Sequence, residues 1–213
     1  MKIKYLAHAA FLITSADGTR IVTDPYETSG GIKHGPINET ADIVTVSHEH
    51  GDHNNVSAVK GNPEVVKASA EVKGIKIKAV PTAHDDKNGS QRGKNTIFCF
   101  EVDGINICHA GDLGHTLTTE QVKAIGKVDV LMVPVGGFFT IDANTATKVC
   151  DQLKPKIIMP MHYKTDKLNF PINGVDDFLN GKTNVTLSSN SEIELKAGKL
   201  PAATQIIVLK QSL

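Results

Sequence analysis

Residues 42–53 read DIVTVSHEHGDH, and they carry the most specific pattern in this chain. The first five of them end in a β-branched run that is typical of a buried strand. The rest has the spacing His48-x-His50-x-Asp52-His53. In an extended segment, side chains two residues apart point the same way, so His48 and His50 can present their imidazoles to one ion. Asp52 and His53 diverge from that pair and can serve a second ion, since paired ions in such sites lie about 3.5–4 Å apart.

A solvated polar loop is the alternative explanation of this string. It is the weaker one, because three imidazoles and a carboxylate within six residues repel one another on protonation unless a cation organises them. Four ligands from one loop cannot complete two metal sites, however. The string therefore predicts metal binding, and it requires further His or Asp ligands from elsewhere in the chain.

Composition excludes several other classes of protein. The 213 residues suit one domain spanning 1–213, and 40% hydrophobic with 22% charged residues excludes disorder and membrane spans. Twenty-three basic residues balance twenty-three acidic ones, so no global field attracts nucleic acid or an anionic membrane. We therefore expect a small-molecule substrate, no nucleic-acid or membrane partner, and leave open a homo-oligomer.

The three cysteines, Cys99, Cys108 and Cys150, form no C-x-x-C pair. Neither a disulfide framework nor a cysteine-rich zinc finger fits them, so a reducing compartment and a cytoplasmic location are expected. The N-terminus places two lysines before an apolar stretch, as signal peptides do, but His8 interrupts that stretch. Residues 2–6 alternate with period two, which favours a strand over a cleaved leader.

Hydrophobic periodicity predicts a strand-rich first half and an alternation of strands and helices in the second half. The expected strands cover about 2–7, 10–14, 19–23, 42–46, 75–80, 96–102, 105–108, 128–133 and 156–159, with a turn at Asp103-Gly104. The expected helices cover 118–125 and 142–153, and Asn54 or Asn55 is expected to cap a further short helix. This order predicts an α/β protein in which helices pack outside β-sheets.

Other short strings accompany the histidine motif: LAHAAF at 6–11, TDP at 23–25, HAGD at 109–112, VPVGG at 133–137 and PMHY at 160–163. With these strings the chain resembles the metallo-β-lactamase-fold hydrolases over nearly its whole length. Within that superfamily it is most similar to the small single-domain branch that includes the ascorbate-6-phosphate lactonase-like predicted metal-dependent hydrolases. The resemblance implies an αββα sandwich of two mixed β-sheets with helices on the outer faces.

The resemblance also implies a set of metal ligands. His48, His50 and His84 would hold one metal, Asp52, His53 and His162 the other, and Asp112 would bridge the two. His84, Asp112 and His162 each follow the carboxyl end of a predicted strand, as the main motif does. His109 competes with His84 for the third place at the first metal, and the order of motifs in the family ranks His84 higher. Nitrogen and oxygen ligands without a thiolate suit two Zn²⁺ ions, and Mn²⁺ or Fe are also tolerated.

Further residues have two explanations each. His8 and Asp24 are candidates to hydrogen-bond ligand imidazoles, although Asp24-Pro25 also suits a turn. Arg92, Lys94 and Lys164 are candidates to bind a phosphate or carboxylate of the substrate, or else belong to solvated loops. Phe138 and Phe139 either wall the pocket or pack in the core. His34 and His115 are interpreted as surface or loop residues with no role.

These observations together predict a hydrolase that uses a metal-bridging hydroxide on a small, anionic ester or lactone. Asp52 is the candidate catalytic residue, which would orient the nucleophile or shuttle its proton. A phosphodiesterase or nuclease is the alternative, although the balanced charge argues against nucleic acid. Less favoured are a di-iron oxygen-reducing protein, whose relatives typically have Glu at the position of His50, and a non-catalytic metal-binding module.

Overall fold

Fourteen strands form two mixed β-sheets in the computed structural model, which describes residues 1–213. The first sheet contains β1 (Lys2–Ala7), β2 (Ala10–Thr14), β3 (Arg20–Thr23), β4 (Ile43–Thr45), β5 (Glu64–Val66) and β13 (Glu192–Glu194). Its strand order is β13-β1-β2-β3-β4-β5. β3, β4 and β5 are parallel to one another, and the other neighbouring pairs are antiparallel.

The second sheet contains β6 (Ala70–Val72), β7 (Ile75–Ala83), β8 (Lys94–Val102), β9 (Ile105–His109), β10 (Val130–Pro134), β11 (Ile157–Met161), β12 (Val185–Leu187) and β14 (Gln205–Val208). Its order is β12-β14-β11-β10-β9-β8-β7-β6. β6 to β9 form an antiparallel meander, and β9, β10, β11, β14 and β12 are parallel. Asp103 and Gly104 both have positive φ, 51° and 72°, as the predicted tight turn between β8 and β9 requires.

Three helices complete the fold: α1 (Thr119–Ile125), α2 (Ala143–Leu153) and α3 (Asp176–Leu179). Thr118 and Gln121 form a capping box at the start of α1, and the Asp142 carboxylate accepts the Thr145 amide at the start of α2. α1 packs against β7 and α2 against β10, so both cover the eight-stranded sheet. None of the helices is long and apolar enough to cross a membrane.

Alternation along the strands divides the apolar residues between two clusters. In β2, Phe11 and Ile13 face the larger cluster, whereas Ala10 and Leu12 belong to a smaller one. Loop residues, Tyr26 among them, cover that smaller cluster on the six-stranded sheet. The predicted α/β sandwich of two mixed sheets is confirmed. Helices α1 and α2 pack on the eight-stranded sheet, whereas irregular segments cover the smaller cluster on the six-stranded sheet.

The nine predicted strands and two predicted helices are present with small shifts at their ends. The predicted short helix after Asn55 is a single 3₁₀ turn, Val56–Ala58, without a side-chain cap. The sequence misses α3 and the strands β5, β6, β12, β13 and β14, each of three or four residues. Such segments are too short to establish a hydrophobic period, and pairing with neighbouring strands defines them instead.

The direction of the strands brings the chemistry-bearing loops together. β1, β3 and β4 run the same way in one sheet, and β7, β9, β10 and β11 do so in the other. The segments that follow their carboxyl ends contain His8, Asp24, residues 47–53, His84, Asp112, Phe138 and His162. The candidate site is therefore assembled from the loops at one end of the sandwich.

Candidate metal centre

Three histidines from two loops form a first group of candidate ligands. His48 and His50 come from the loop after β4, and His84 directly follows β7. One ring nitrogen of each lies within 4.8 Å of the others. His48 and His84 are buried whereas His50 is exposed, so this group opens to solvent on one side.

A second group contains His8, Asp52, His53 and His162, with one ligand atom of each within 4.8 Å of the others. The three imidazoles are buried and Asp52 is partly exposed. The sequence predicts that His8 hydrogen-bonds a ligand imidazole. In the structure its Nε2 lies 3.2 Å from Asp52 Oδ2, so its hydrogen-bond partner is a carboxylate of the group. With the His162 imidazole it makes a ring contact instead, at 4.2 Å between the centroids.

Asp112 lies between the two groups. Its Oδ2 is 3.2 Å from His84 Nε2 of the first group and 3.4 Å from His162 Nε2 of the second. Its Oδ1 is 3.2 Å from His53 Nε2. The structure thus brings together all seven residues that the resemblance implies as ligands: His48, His50, Asp52, His53, His84, Asp112 and His162.

The chemistry of these residues fits divalent cations. The Nε2 atoms of His48, His53 and His162 are buried, and none of them forms a hydrogen bond of acceptable geometry, although Asp112 lies near all three. An unpaired buried nitrogen is unfavourable, and a cation bound at each group would pair these atoms. Imidazole and carboxylate donors without a thiolate suit Zn²⁺ and also accept Mn²⁺ or Fe.

Asp24 orients one imidazole in each group. Its Oδ2 accepts a hydrogen bond from His53 Nδ1 at 2.9 Å and another from Ser47 Oγ at 2.5 Å, and its Oδ1 accepts the Ser47 amide. Ser47 Oγ in turn lies 2.9 Å from His48 Nδ1. Because the serine proton points to the carboxylate, Ser47 Oγ accepts from His48 Nδ1. Both imidazoles therefore keep the lone pair of Nε2 for a cation.

His109 is held away from both groups. Its Nε2 donates to the Ala9 carbonyl oxygen at 2.8 Å, and its Nδ1 accepts the Gly111 amide at 3.3 Å. With both nitrogens engaged, His109 leaves the third place of the first group to His84.

The electrostatics of the candidate ligands suit cations. Burial alone would raise the pKa of Asp112, but the imidazoles around it hold that pKa well below its usual range. Burial would likewise raise the pKa of Asp52, but the neighbouring His53 and the contact with His8 lower it. Burial and the neighbouring His53 lower the pKa of His48 to about 3. Burial alone would lower the pKa of His53, but the neighbouring Asp112 and Asp52 carboxylates raise it well above its usual range.

A buried carboxylate organises the loop between β7 and β8. Asp85, next to His84, accepts four backbone amides at 2.7–2.9 Å, those of Lys87, Gly89, Gln91 and Arg92. Burial alone would raise the pKa of Asp85, but these amides lower it to about 2. The loop is therefore fixed from within and carries Gln91 and Arg92 to the site.

A pocket of about 390 Å³ opens over both groups, and Gln91, Arg92, Phe139 and Phe170 line it beside the candidate ligands. Of the three basic residues that the sequence predicts near the substrate, the structure brings only Arg92 into the lining. Lys94 is exposed at the start of β8. Lys164 Nζ donates to the Phe170 carbonyl oxygen at 2.7 Å.

Sequence reasoning misses several residues that support the site. Asn95 Oδ1 accepts the Asp112 amide at 2.9 Å, and His115 Nε2 accepts the Ala83 amide at 3.1 Å, next to His84. Ser47 and Asp85 adjoin predicted ligands in sequence, and that adjacency is a usable signal. The sequence gives no such signal for Asn95, because its hydrogen-bond partners come from distant segments of the chain.

A family model described as the beta-lactamase superfamily domain matches residues 2–162. The chain belongs to this superfamily. This superfamily member is 31% identical over 193 residues to a UPF0173 metal-dependent hydrolase of Thermococcus onnurineus. The alignment covers 78% of this chain and 85% of the relative.

A UPF0173 metal-dependent hydrolase of Nanoarchaeum equitans is 32% identical to the superfamily chain over 233 residues, covering 92% of it and 100% of the relative. A Thermotoga maritima structure, described as a candidate Zn-dependent hydrolase of the metallo-beta-lactamase superfamily, has 41% identity and a TM-score of 0.80. That match covers 98% of this chain and 97% of the other. The predicted superfamily is confirmed, and the chain falls among its UPF0173 metal-dependent hydrolases. The lactonase-like branch stays a prediction.

Proposed function

We propose that this metal-dependent hydrolase binds two divalent cations, preferentially Zn²⁺, and cleaves a small anionic ester or lactone. The observation that carries the proposal is the position of Asp112, whose carboxylate lies within 3.4 Å of His84 in one group and of His162 in the other. When bound, the two cations would supply Lewis acidity and lower the pKa of water towards neutrality.

Asp52 is the side chain that orients the attacking water in this proposal. It lines the pocket, and its side chain is 24% exposed. Its lowered pKa keeps it ionised at neutral pH, so it accepts hydrogen bonds and does not donate them. The contact with His8 Nε2 at 3.2 Å orients this carboxylate in the lining of the pocket.

Charge supports an anionic substrate. Two divalent cations carry more positive charge than Asp52 and Asp112 neutralise, so the pocket attracts anions when loaded. Arg92 adds a guanidinium to the wall. A carboxylate or phosphate on the substrate would find its counter-charge there.

The experiment is an activity screen of protein reconstituted with Zn²⁺, Mn²⁺ or Fe²⁺, against lactones, carboxylate esters and phosphodiesters. We expect turnover of anionic lactones or esters, and a loss of about 10²–10⁴-fold in kcat for Asp52→Asn. Elemental analysis of each variant separates a lost proton acceptor from a lost ion, and Asp166→Asn on an exposed loop is the matched control. Turnover of phosphodiesters alone would instead support the phosphodiesterase alternative, and a loaded protein inactive on all three classes would overturn the proposal.

A further inference from the structure

Phe138 is the only phenylalanine or tyrosine that is mostly exposed, with 62% of it accessible to solvent. Its φ is +61°, a left-handed conformation that bulky side chains rarely adopt. The backbone holds it there, because Gly137 N donates to the Ile141 carbonyl and Phe139 N donates to the Gly137 carbonyl. Because the Phe138 ring is exposed, its burial does not offset the cost of this strained backbone. Such a residue is typical of a binding site.

Three more rings continue from Phe138 into the pocket. The centroids of Phe138 and Phe139 are 4.7 Å apart at an interplanar angle of 80°, and those of Phe139 and Phe170 are 5.6 Å apart at 73°. Phe170 lies 5.9 Å from the ring of His8, whose Nε2 contacts Asp52. Successive edge-to-face rings therefore form one wall from solvent to the second ligand group. We call Phe138, Phe139 and Phe170 the aromatic wall.

Arg92 lies against this wall. Its guanidinium carbon is 5.7 Å from the centroid of Phe139. The other arginine, Arg20, pairs with Glu39 at 2.7 Å, whereas Arg92 forms no ion pair with a carboxylate of the chain. Asp85 fixes the Arg92 backbone through its amide, so this cation is positioned and free to bind an anion.

We propose that the aromatic wall and Arg92 form a subsite for an aryl or other planar unsaturated group attached to a carboxylate or similar anion. Ring faces and edges favour another aromatic ring over a saturated ring of equal size, because the quadrupoles of the rings interact as well as their apolar surfaces. The guanidinium stacks on the same wall and pairs with the anion. This inference rests on the proposed function and narrows its substrate class to aryl-bearing anionic esters or lactones.

The test compares two acids with the same carbon skeleton, 2-naphthoate and decahydro-2-naphthoate, by calorimetric titration of the Zn²⁺-loaded protein. Both acids offer the same carboxylate to Arg92 and to the cations, so a difference between their affinities reports on the aromatic wall. We expect 2-naphthoate to bind about three- to tenfold tighter. Phe138→Leu is expected to remove most of that preference, and Phe138→Tyr to retain it. Arg92→Gln is expected to weaken both acids equally, by about tenfold.

Leu187→Ala, at an apolar side chain that is 70% exposed elsewhere, is the control for Phe138→Leu, and Arg20→Gln is the control for Arg92→Gln. Equal affinities for the two acids, or a preference that Phe138→Leu leaves intact, would overturn the subsite. The titration requires no turnover, so it is distinct from the screen above. A preference for 2-naphthoate in a protein that hydrolyses nothing would sustain the subsite and refute the proposed function, and ester hydrolysis without that preference would do the reverse.

Discussion

Asp24 connects the two ligand groups through hydrogen bonds of a single buried carboxylate. Its φ of +39° is another left-handed backbone at a non-glycine residue, and such strain persists only where neighbouring contacts enforce it. His53 and Ser47 supply those contacts. The strained backbone at Asp24-Pro25 thus places the Asp24 carboxylate in the orienting role that its position at the end of a strand predicts.

Ser47→Ala is expected to weaken one ion more than the other. The substitution removes the link between His48 and Asp24 but leaves the bond from His53 to Asp24. Affinity at the first group should fall about tenfold, since partners that orient ligand imidazoles contribute about 10–100-fold. Zn²⁺ titration against a competing chelator measures both steps, with the exposed Ser189→Ala as control. An equal loss at both steps would contradict the assignment.

Substitutions at His84 and His109 distinguish the two candidates for the third ligand of the first group. His84→Asn should release one ion and leave the fold intact. His109→Asn should keep the metal content and destabilise the protein by about 1–3 kcal/mol, because the Ala9 carbonyl loses its buried donor. Elemental analysis and chemical denaturation measure the two effects, and the opposite pattern would show that His109 is the ligand.

At the scale of elements, the segment between β7 and β8 behaves as a unit organised by Asp85. Four amides converge on one carboxylate, which replaces the hydrogen bonds that a helix or strand would provide. Gly114 packs closely behind it, since a Cβ there would lie 2.1 Å from the Asp85 nitrogen. The position of Arg92 is thus a property of the whole loop.

Asp85→Asn should destabilise the protein in a pH-dependent way, because an amide has one acceptor oxygen where the carboxylate has two. The folded pKa of Asp85, about 2, lies below the unfolded value of about 3.9. The contribution of this carboxylate to stability is therefore fully present above about pH 4 and is lost as the pH falls towards 2.

Denaturation of wild type and Asp85→Asn across this pH range measures that contribution. The difference in free energy of unfolding should be constant near neutrality and shrink below about pH 4. Asp86→Asn, at the exposed neighbouring position, should show no such difference. A difference that grows as the pH falls would contradict the role of the carboxylate.

At the scale of the whole molecule, local patterns predict more than distant ones. The 48–53 string and the longer strands are predictable because their signals lie within a few residues. Placing Asp112 and His162 beside that string depends on the resemblance, since a single Asp or His after a strand has many ordinary roles. The choice of Arg92 over Lys94 and Lys164 depends on the network around Asp85, and short strands such as β13 depend on pairing with β1.

The metal content of the folded chain tests the central claim most directly. Protein saturated with Zn²⁺ and freed of excess metal is measured by elemental analysis. Two groups that share Asp112 predict about two ions per chain. A stable content of one ion or fewer would contradict a paired centre.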